Sequence, residues 1–456
     1  LAGPPTLSYR FRKFARRNRA ALLALSGIAA ALVIGIGLAI AGFMEAIHQR
    51  DVAEEQRTLA LRSAAEAQAA ARKAEAVNRF MLDMLAEADP MYSARRDITA
   101  REAVERALAK IDAGSMKDQP LIEAAIRMTI GRTFMGLAQY SAALEQADRA
   151  LHSYRELVGE RAVEYAEALQ LRGSVHSLSG NVELAEPDFR GALAIQRAQP
   201  EPDDSAIAAC LNDLATTLTS LEKYDESMAL LTEAEQIARA PENTRQTVLP
   251  EVVNNIGMVH RMREEWKEAE PRFREAAELN QAALGRLHPN VATNLDNLAQ
   301  ALHALGDLDA AKKTYDEAMA IRRALFGSDH PDVATSLHNL ATLLWAKQDM
   351  EGCENALRES YAIFRRIHGI AHSDTVTAMH SLVSVLGGLS KLDEAHQLLS
   401  EAFDATRDST NLRPEDKAFI ARRLVELNKV RGNDAEVARW EKELIQFQAA
   451  APSSGN

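Results

Sequence analysis

Glycine and proline are scarce in this 456-residue chain, at 22 and 14 residues, and runs in which Val, Ile or Thr alternate with polar residues are missing. Without the first there is little of the turn chemistry that joins short strands, and without the second there are no strands to join. What fills the chain is Ala, Leu, Glu and Arg, which enter a helix at low entropic cost, so the expected fold is all-α. Cysteine is scarcer still. Cys210 and Cys353 stand 143 positions apart, which suits neither a disulfide scaffold nor the close ligand pairs of structural zinc, and both are expected to be small buried residues. Long disorder is excluded, because 47% of the residues are apolar.

Signatures of catalysis are missing as well. There is no glycine-rich phosphate loop, no H-R-D, no D-F-G, no serine-hydrolase elbow and no H-E-x-x-H helix. The "GIG" at Gly35–Gly37 sits in an apolar run, and paired acids such as Glu264-Glu265 read as solvated helix faces. No catalytic residue and no cofactor is expected in this chain. Positive charge is confined to one end: residues 1–50 carry Arg10, Arg12, Lys13, Arg16, Arg17, Arg19 and Arg50 against Glu45 alone, a net +6 that leaves −18 on the rest of a chain totalling −12. So acidic a body repels phosphate backbones, and nucleic acid is not an expected partner.

Between the basic head and the acidic body lies "AALLALSGIAAALVIGIGLAIAGFM", the 25 uncharged residues Ala20–Met44. As a helix it extends about 37 Å, enough for a hydrocarbon core of about 30 Å, and it exceeds the apolar region of about 7 to 15 residues usual in a cleavable signal peptide. A transmembrane helix is therefore expected. Excess Lys/Arg marks the cytoplasmic side, so the head is expected inside and the acidic body outside, periplasmic if the cell has an outer membrane. Gly27, Ala31, Gly35 and Ala39 form a stripe along which a second copy could approach to make a homodimer, although an alanine-rich span produces such stripes by chance too. The next forty residues lack Gly and Pro and read as a long helical stalk, a poor coiled coil because Glu66 and Lys73 interrupt the register of Val52, Leu59 and Phe80. Asp89-Pro90 is expected to end it.

The rest repeats. "HPNVATNLDNLA" begins at His288 and "HPDVATSLHNLA" at His330, and in that register a small residue recurs every 42 positions at Gly131, Gly173, Ala215, Gly257, Ala299 and Ala341, with Val383 and Val425 continuing the series. Twelve residues on lie Ala143, Ala185, Ser227, Ala269, Ala311, Cys353, Ala395 and Val437; nineteen on lie Ala150, Ala192, Ala234, Ala276, Ala318, Ser360, Ala402 and Leu444. Such columns are what two closely crossing helices need, with large residues at their flanks, here Ile256, Leu298 and Leu340 on one side and Phe189, Phe273 and Tyr315 on the other. Gly159, Gly285, Gly327 and Gly369, with Asn243 and Asn411, mark left-handed helix ends; Glu201, between Pro200 and Pro202, predicts an irregular turn. Pro289 and Pro331 fit a first helical position behind cap residues His288 and His330, and His372 completes that column. Equivalent positions of stacked units are held apart, so these histidines are not expected to share a metal ion.

The columns match the helical pairs of the tetratricopeptide repeat, usually about 34 residues long, and the 42-residue form with "AMAIRRALFG" resembles the repeats of kinesin light chain-like proteins. That resemblance implies a right-handed superhelical array of about eight helical pairs over residues 120–445. With the readings above, the expected order is a basic segment (1–19), a transmembrane helix (20–44), a stalk (45–88), a helical lead-in (89–119), the array, and a disordered tail (446–456). A narrower resemblance concerns "GPPTLSYRFRKFARRNR", "ADPMYSARRDITAREAVERALAKID" and "IGRTFMGLAQYSAALEQADRAL", which are similar to the region C-terminal to the catalytic domain in bacterial membrane-bound serine/threonine protein kinases bearing these repeats. It implies that a kinase domain, with its ATP and Mg, precedes this chain in the intact protein, and that a chain beginning at Leu1 is a fragment of it. The other readings are a self-contained membrane-anchored adaptor for an envelope or secretion assembly and, if residues 20–44 are a core helix, a soluble cytosolic adaptor.

In proteins resembling this one, asparagines on the inner face of the first helices grip an extended peptide, since an amide both donates and accepts. The matching positions are Asn212, Asp213, Asn254, Asn255, Asp296, Asn297, His338, Asn339 and His380, with Ser381 beside the last. The competing role for Asn255, Asn297 and Asn339 is to tie one repeat to the next.

Overall fold

The computed structural model describes residues 7–87, 100–240, 248–407 and 414–450. Every regular element among them is an α-helix, nineteen in number, and they fall into two compact units, Leu1–Ile126 and Arg127–Asn456.

The first unit contains α1 (Leu7–Arg17), α2 (Arg19–Glu87) and α3 (Ala100–Asp112). With 69 residues, α2 is about 100 Å long and makes the apolar segment and the stalk one continuous helix. Its stretch Arg19–Thr58 is long and apolar enough to cross a membrane by length and composition, and none of it is buried. Beyond the apolar part, exposed i,i+4 pairs such as Arg50–Glu54 (3.0 Å) and Glu75–Arg79 (2.8 Å) support a solvated helix. The expected stop at Asp89-Pro90 lies outside the described residues, as does the side chain of Glu66.

The second unit is built from helical pairs. After α4 (Pro120–Gly136), whose start precedes the unit boundary, come α5 (Tyr140–Leu157), α6 (Val163–Leu178), α7 (Val182–Arg197), α8 (Asp204–Ser220), α9 (Tyr224–Arg239), α10 (Leu249–Met262), α11 (Trp266–Leu284) and α12 (Pro289–Ala304). They continue with α13 (Leu308–Phe326), α14 (Pro331–Ala346), α15 (Met350–His368), α16 (Ser373–Gly388), α17 (Leu392–Thr406), α18 (Pro414–Arg431) and α19 (Asp434–Ala450). From α6 onward each even-numbered helix packs on the odd-numbered one after it, and that second helix packs on the first helix of the next pair. α19 runs to Ala450, into the segment expected to be a tail, and residues 451–456 lie outside the described set.

The small-residue columns sit at the crossings. Ala143, Ala185, Ser227, Ala269, Ala311 and Ala395 are fully buried, as are Ala150, Ala192, Ala234, Ala276, Ala318 and Ala402. Opposite them Phe189, Phe273, Tyr315 and Leu399 are buried as large plugs. A Cβ on Gly257 would lie 2.8 Å from Cε1 of Phe273, and one on Gly173 would lie 3.1 Å from Cζ of Phe189, so the aromatic ring occupies the space a side chain would take. Burying each such side chain contributes roughly 1.5–3 kcal/mol. Cys210 and Cys353 are buried, as expected.

The turn chemistry follows the period. Gly159, Gly285, Gly327 and Gly369 have φ between 79° and 88°. Asn243 and Asn411 lie outside the described residues. His288, His330 and His372 are N-caps whose Nδ1 atoms accept the backbone N–H of Asn290 (3.2 Å), Asp332 (3.2 Å) and Asp374 (3.3 Å). A second left-handed column was not legible in the residue types: Ala138, Gly180, Glu222, Glu264, Gly306, Gln348, Ser390 and Gly432, again 42 apart, all have positive φ at the turn inside each pair. At each, the following N–H closes back on a carbonyl five residues earlier, as in Lys223→Leu218 (2.8 Å) and Asp349→Leu344 (2.9 Å), the Schellman closure of a helix end.

Neighbouring pairs are also tied by charge along the second helices. Arg197–Glu233 (2.5 Å), Arg239–Glu275, Arg323–Glu359 (2.8 Å), Arg365–Glu401 and Arg407–Glu443 (3.1 Å) are equivalent ion pairs, and Arg286–Glu317 (2.8 Å) substitutes where Gln281 interrupts the column. Being partly exposed, each is worth on the order of 0.2–1 kcal/mol.

An L-residue held left-handed costs about 1–2 kcal/mol, of which Gly recovers part after its own entropic penalty of roughly 0.5–1 kcal/mol. Glu264→Gly and Gln348→Gly are therefore expected to raise the unfolding temperature and Gly306→Gln to lower it; thermal unfolding followed by circular dichroism checks this, and one shared sign for all three contradicts it.

Candidate functional site

The first helices α8, α10, α12, α14 and α16 carry the nine sequence-expected residues at equivalent heights, because the 42-residue period returns each helix to the same register. The structure joins four of them in an amide ladder. Asn255 Nδ2 donates to Asn212 Oδ1 (2.9 Å) and to Thr216 Oγ1 (3.2 Å); one repeat on, Asn297 Nδ2 donates to Asn254 Oδ1 (3.0 Å). Asn254 Oδ1 also accepts from Asn294 (2.9 Å), whose own Oδ1 accepts from Asn280 (2.7 Å), and Asn212 donates to Glu251 (3.2 Å). Asn212, Asn254 and Asn255 each both donate and accept within the array, and Asn297 donates to Asn254, so these side chains couple repeats to one another.

Farther along the pattern changes. Asp296 is buried and turned to the buried Arg322, which also contacts Ser336, while Ser336 Oγ donates to the same carboxylate (3.2 Å). Burial still holds the Asp296 carboxyl above the ordinary range, with Arg322 opposing it. Removing one partner of so enclosed a pair costs roughly 3–5 kcal/mol, which marks it as architecture. The Asn339 amide is half-buried and makes no side-chain hydrogen bond among the described residues. His380 stacks on Phe419 (centroids 3.6 Å), and burial, with Arg423 second, lowers it to about 4.

His338 opens into a cavity of about 270 Å³. It is lined by His338, Thr342 and Trp345 of α14, by Ser381 and Ser384 of α16, and by the buried Ala341, Cys353, Leu357 and Val385. Burial lowers the His338 pKa, favouring a neutral imidazole that can donate on one nitrogen and accept on the other. Trp345 is 47% exposed, and its indole lies along α16 where a Cβ at Gly388 would meet Cη2 at 3.5 Å. His338, Thr342 and Trp345 share one face of α14 at i, i+4 and i+7. Trp345 escapes periodic reasoning because no other repeat carries a tryptophan at its position, whereas Thr342 and Ser384 stand 42 apart in one column, with Ser174 and Thr216 at the same position of earlier repeats.

This is the geometry of a stacked helical-hairpin protein whose first-helix face holds a small, mixed apolar and polar recess. The tetratricopeptide repeat profile matches residues 164–240, 249–324, 295–351 and 332–408, a little over half of the chain. The chain belongs to the tetratricopeptide repeat family. Among solved structures, it is similar to the apo form of the quorum sensor NprR from B. thuringiensis, at 13% identity and TM-score 0.54 over 82% of this chain and 98% of that one. It is similar also to a Signal Transduction ATPase with Numerous Domains protein with a tetratricopeptide repeat sensor from Pyrococcus horikoshii, at 12% identity and TM-score 0.53 over 79% and 55%. The kinesin light chain TPR-like repeats of Podosopora anserina match at 15% identity and TM-score 0.36 over 46% and 98%. These likenesses are of fold. No curated protein sequence matches the chain significantly.

Asp213 provides a test of the groove's electrostatics. Burial, with Glu251 of the next repeat second, pushes its carboxyl up to about 7. With the folded value above the unfolded one, stability is fully present below the ordinary carboxyl range and is lost progressively as pH rises to about 7, because the folded state binds the extra proton across that window. Asp213→Asn is expected to raise the unfolding temperature at about pH 8 and to shrink its decline between about pH 5 and pH 8; an unchanged pH slope in thermal unfolding contradicts the assignment.

Proposed function

We propose that this chain is a membrane-anchored sensor or scaffold region that holds an extended protein segment along the first-helix face of α8 to α16, with the recess under Trp345 receiving an apolar side chain. The cavity is the observation that carries the reading. Cys353, Leu357, Ala341 and Val385 offer an apolar floor, and His338, Thr342, Ser381 and Ser384 offer a rim that donates and accepts, the composition of a side-chain pocket with backbone-binding edges. Asn339, next to His338 and unengaged, is the amide best placed to meet a peptide backbone. Asn212, Asn254, Asn255 and Asn297 fix the register of the groove, Asp296 holds it through Arg322, and Asp213 and His380 complete its lining.

The anchor is α2. Leu23, Ile28, Val33, Leu38 and Phe43 point outward over Arg19–Thr58, a surface that hydrocarbon accommodates and water does not. The basic head then lies in the cytoplasm and the acidic repeats outside it, periplasmic in a cell with two membranes, and Gly27, Ala31, Gly35 and Ala39 offer a self-association face. The resemblance of the head and stalk to membrane-bound serine/threonine kinases supports a cytoplasmic kinase, using ATP and Mg, as the output of this sensor. Catalytic kinase motifs in the reading frame upstream of Leu1 would support that output, and a start codon directly before Leu1 would favour the stand-alone adaptor.

Peptides selected from a random-peptide phage library against the detergent-solubilised chain provide the probe. Trp345→Ala is expected to weaken their binding about tenfold or more while moving the unfolding temperature little, because the indole is half-exposed; unchanged affinity contradicts the pocket.

A further inference from the structure

We infer that α1 is an interfacial helix that docks on anionic lipid headgroups, an extension that rests on the membrane reading of α2. Leu7, Phe11 and Phe14 stand at i, i+4 and i+7 and therefore share one face of α1. They are 88%, 69% and 55% exposed, so no described residue covers this face. Arg10, Arg12, Lys13, Arg16 and Arg17 occupy the remaining arc, and among the described residues none of these five has an ion-pair partner. No acidic residue occurs between Leu1 and Met44.

A solvated juxtamembrane linker has no use for three large apolar side chains on one stripe. Cations that served only to set topology would need no such stripe either. An apolar face bordered by cations suits a bilayer surface, where rings enter the acyl boundary and guanidinium groups meet phosphate. Position agrees: a single turn residue, Asn18, separates α1 from α2, and the uncharged segment begins at Ala20. Backbone bonds Asn18 N–H to Phe14 O (3.0 Å) and Leu22 N–H to Asn18 O (3.0 Å) carry the helix through this point. Docking the Phe face therefore requires a bend at Asn18, where helix assignment already lapses for one residue.

The test uses the full chain in lipid nanodiscs, with hydrogen exchange read by mass spectrometry for residues 7–17 and 20–44. Slower exchange of residues 7–17 in discs containing phosphatidylglycerol than in pure phosphatidylcholine, lost in Phe11→Ser/Phe14→Ser and reduced in Arg12→Gln/Lys13→Gln/Arg16→Gln, supports the proposal. Equal exchange of 7–17 in the two lipids, with residues 20–44 protected in both, overturns the docking of α1 and leaves the membrane span standing. Unprotected residues 20–44 overturn both.

Discussion

The constraint on which this structure depends is the closeness of two helices. Each pair brings its members together where Ala143, Ala185, Ala269, Ala311 and their equivalents carry no more than a methyl group, and it fills the flanks with Phe189, Phe273, Tyr315 or Leu399. A methyl at the crossing and a ring beside it are complementary halves of one contact: the ring has room because the opposite backbone carries nothing. Repeated every 42 residues, that contact turns a sequence period into a spatial one, and every feature of the first-helix face inherits it.

Register between pairs is held on two sides by different means. On the first helices it is neutral and buried or half-buried, through the amide ladder of Asn212, Asn254, Asn255 and Asn297. On the second helices it is charged and partly exposed, through the Arg–Glu series from Arg197–Glu233 to Arg407–Glu443. The amide side stops at Asp296, where a carboxylate and Arg322 take over, and the recess under Trp345 opens in the repeats that follow. The recess thus lies where the ladder is no longer consuming the polar groups.

Much of this was legible in the residues. Crossing sites tolerate few side chains, so their columns show as Ala and Gly, and helix ends that need φ > 0 show as Gly159, Gly285, Gly327 and Gly369. The turn column of Ala138, Glu222, Glu264, Gln348 and Ser390 did not show, because backbone closure bonds enforce the left-handed conformation whatever the side chain. For the site, the nine expected positions recur at equivalent heights, but their chemistry diverges: Asn255 bonds Asn212 and Asn297 bonds Asn254, Asp296 turns to Arg322, and Asn339 is left unengaged. Of the pocket residues, Trp345 belongs to a single repeat, and a period carries no information about what occurs once.

Gly257→Ala tests the crossing most directly, because two effects predict opposite signs. Helix propensity alone favours Ala over Gly by about 1 kcal/mol, whereas a methyl placed 2.8 Å from the fully buried ring of Phe273 forces the core to shift, at a cost of roughly 1–3 kcal/mol. Gly387, helical in α16 with nothing within 4 Å of its Cβ position, serves as the control. In thermal unfolding, Gly257→Ala should lower the midpoint and Gly387→Ala should raise it. A rise in both would contradict the claim that side-chain exclusion at the crossings holds the array together.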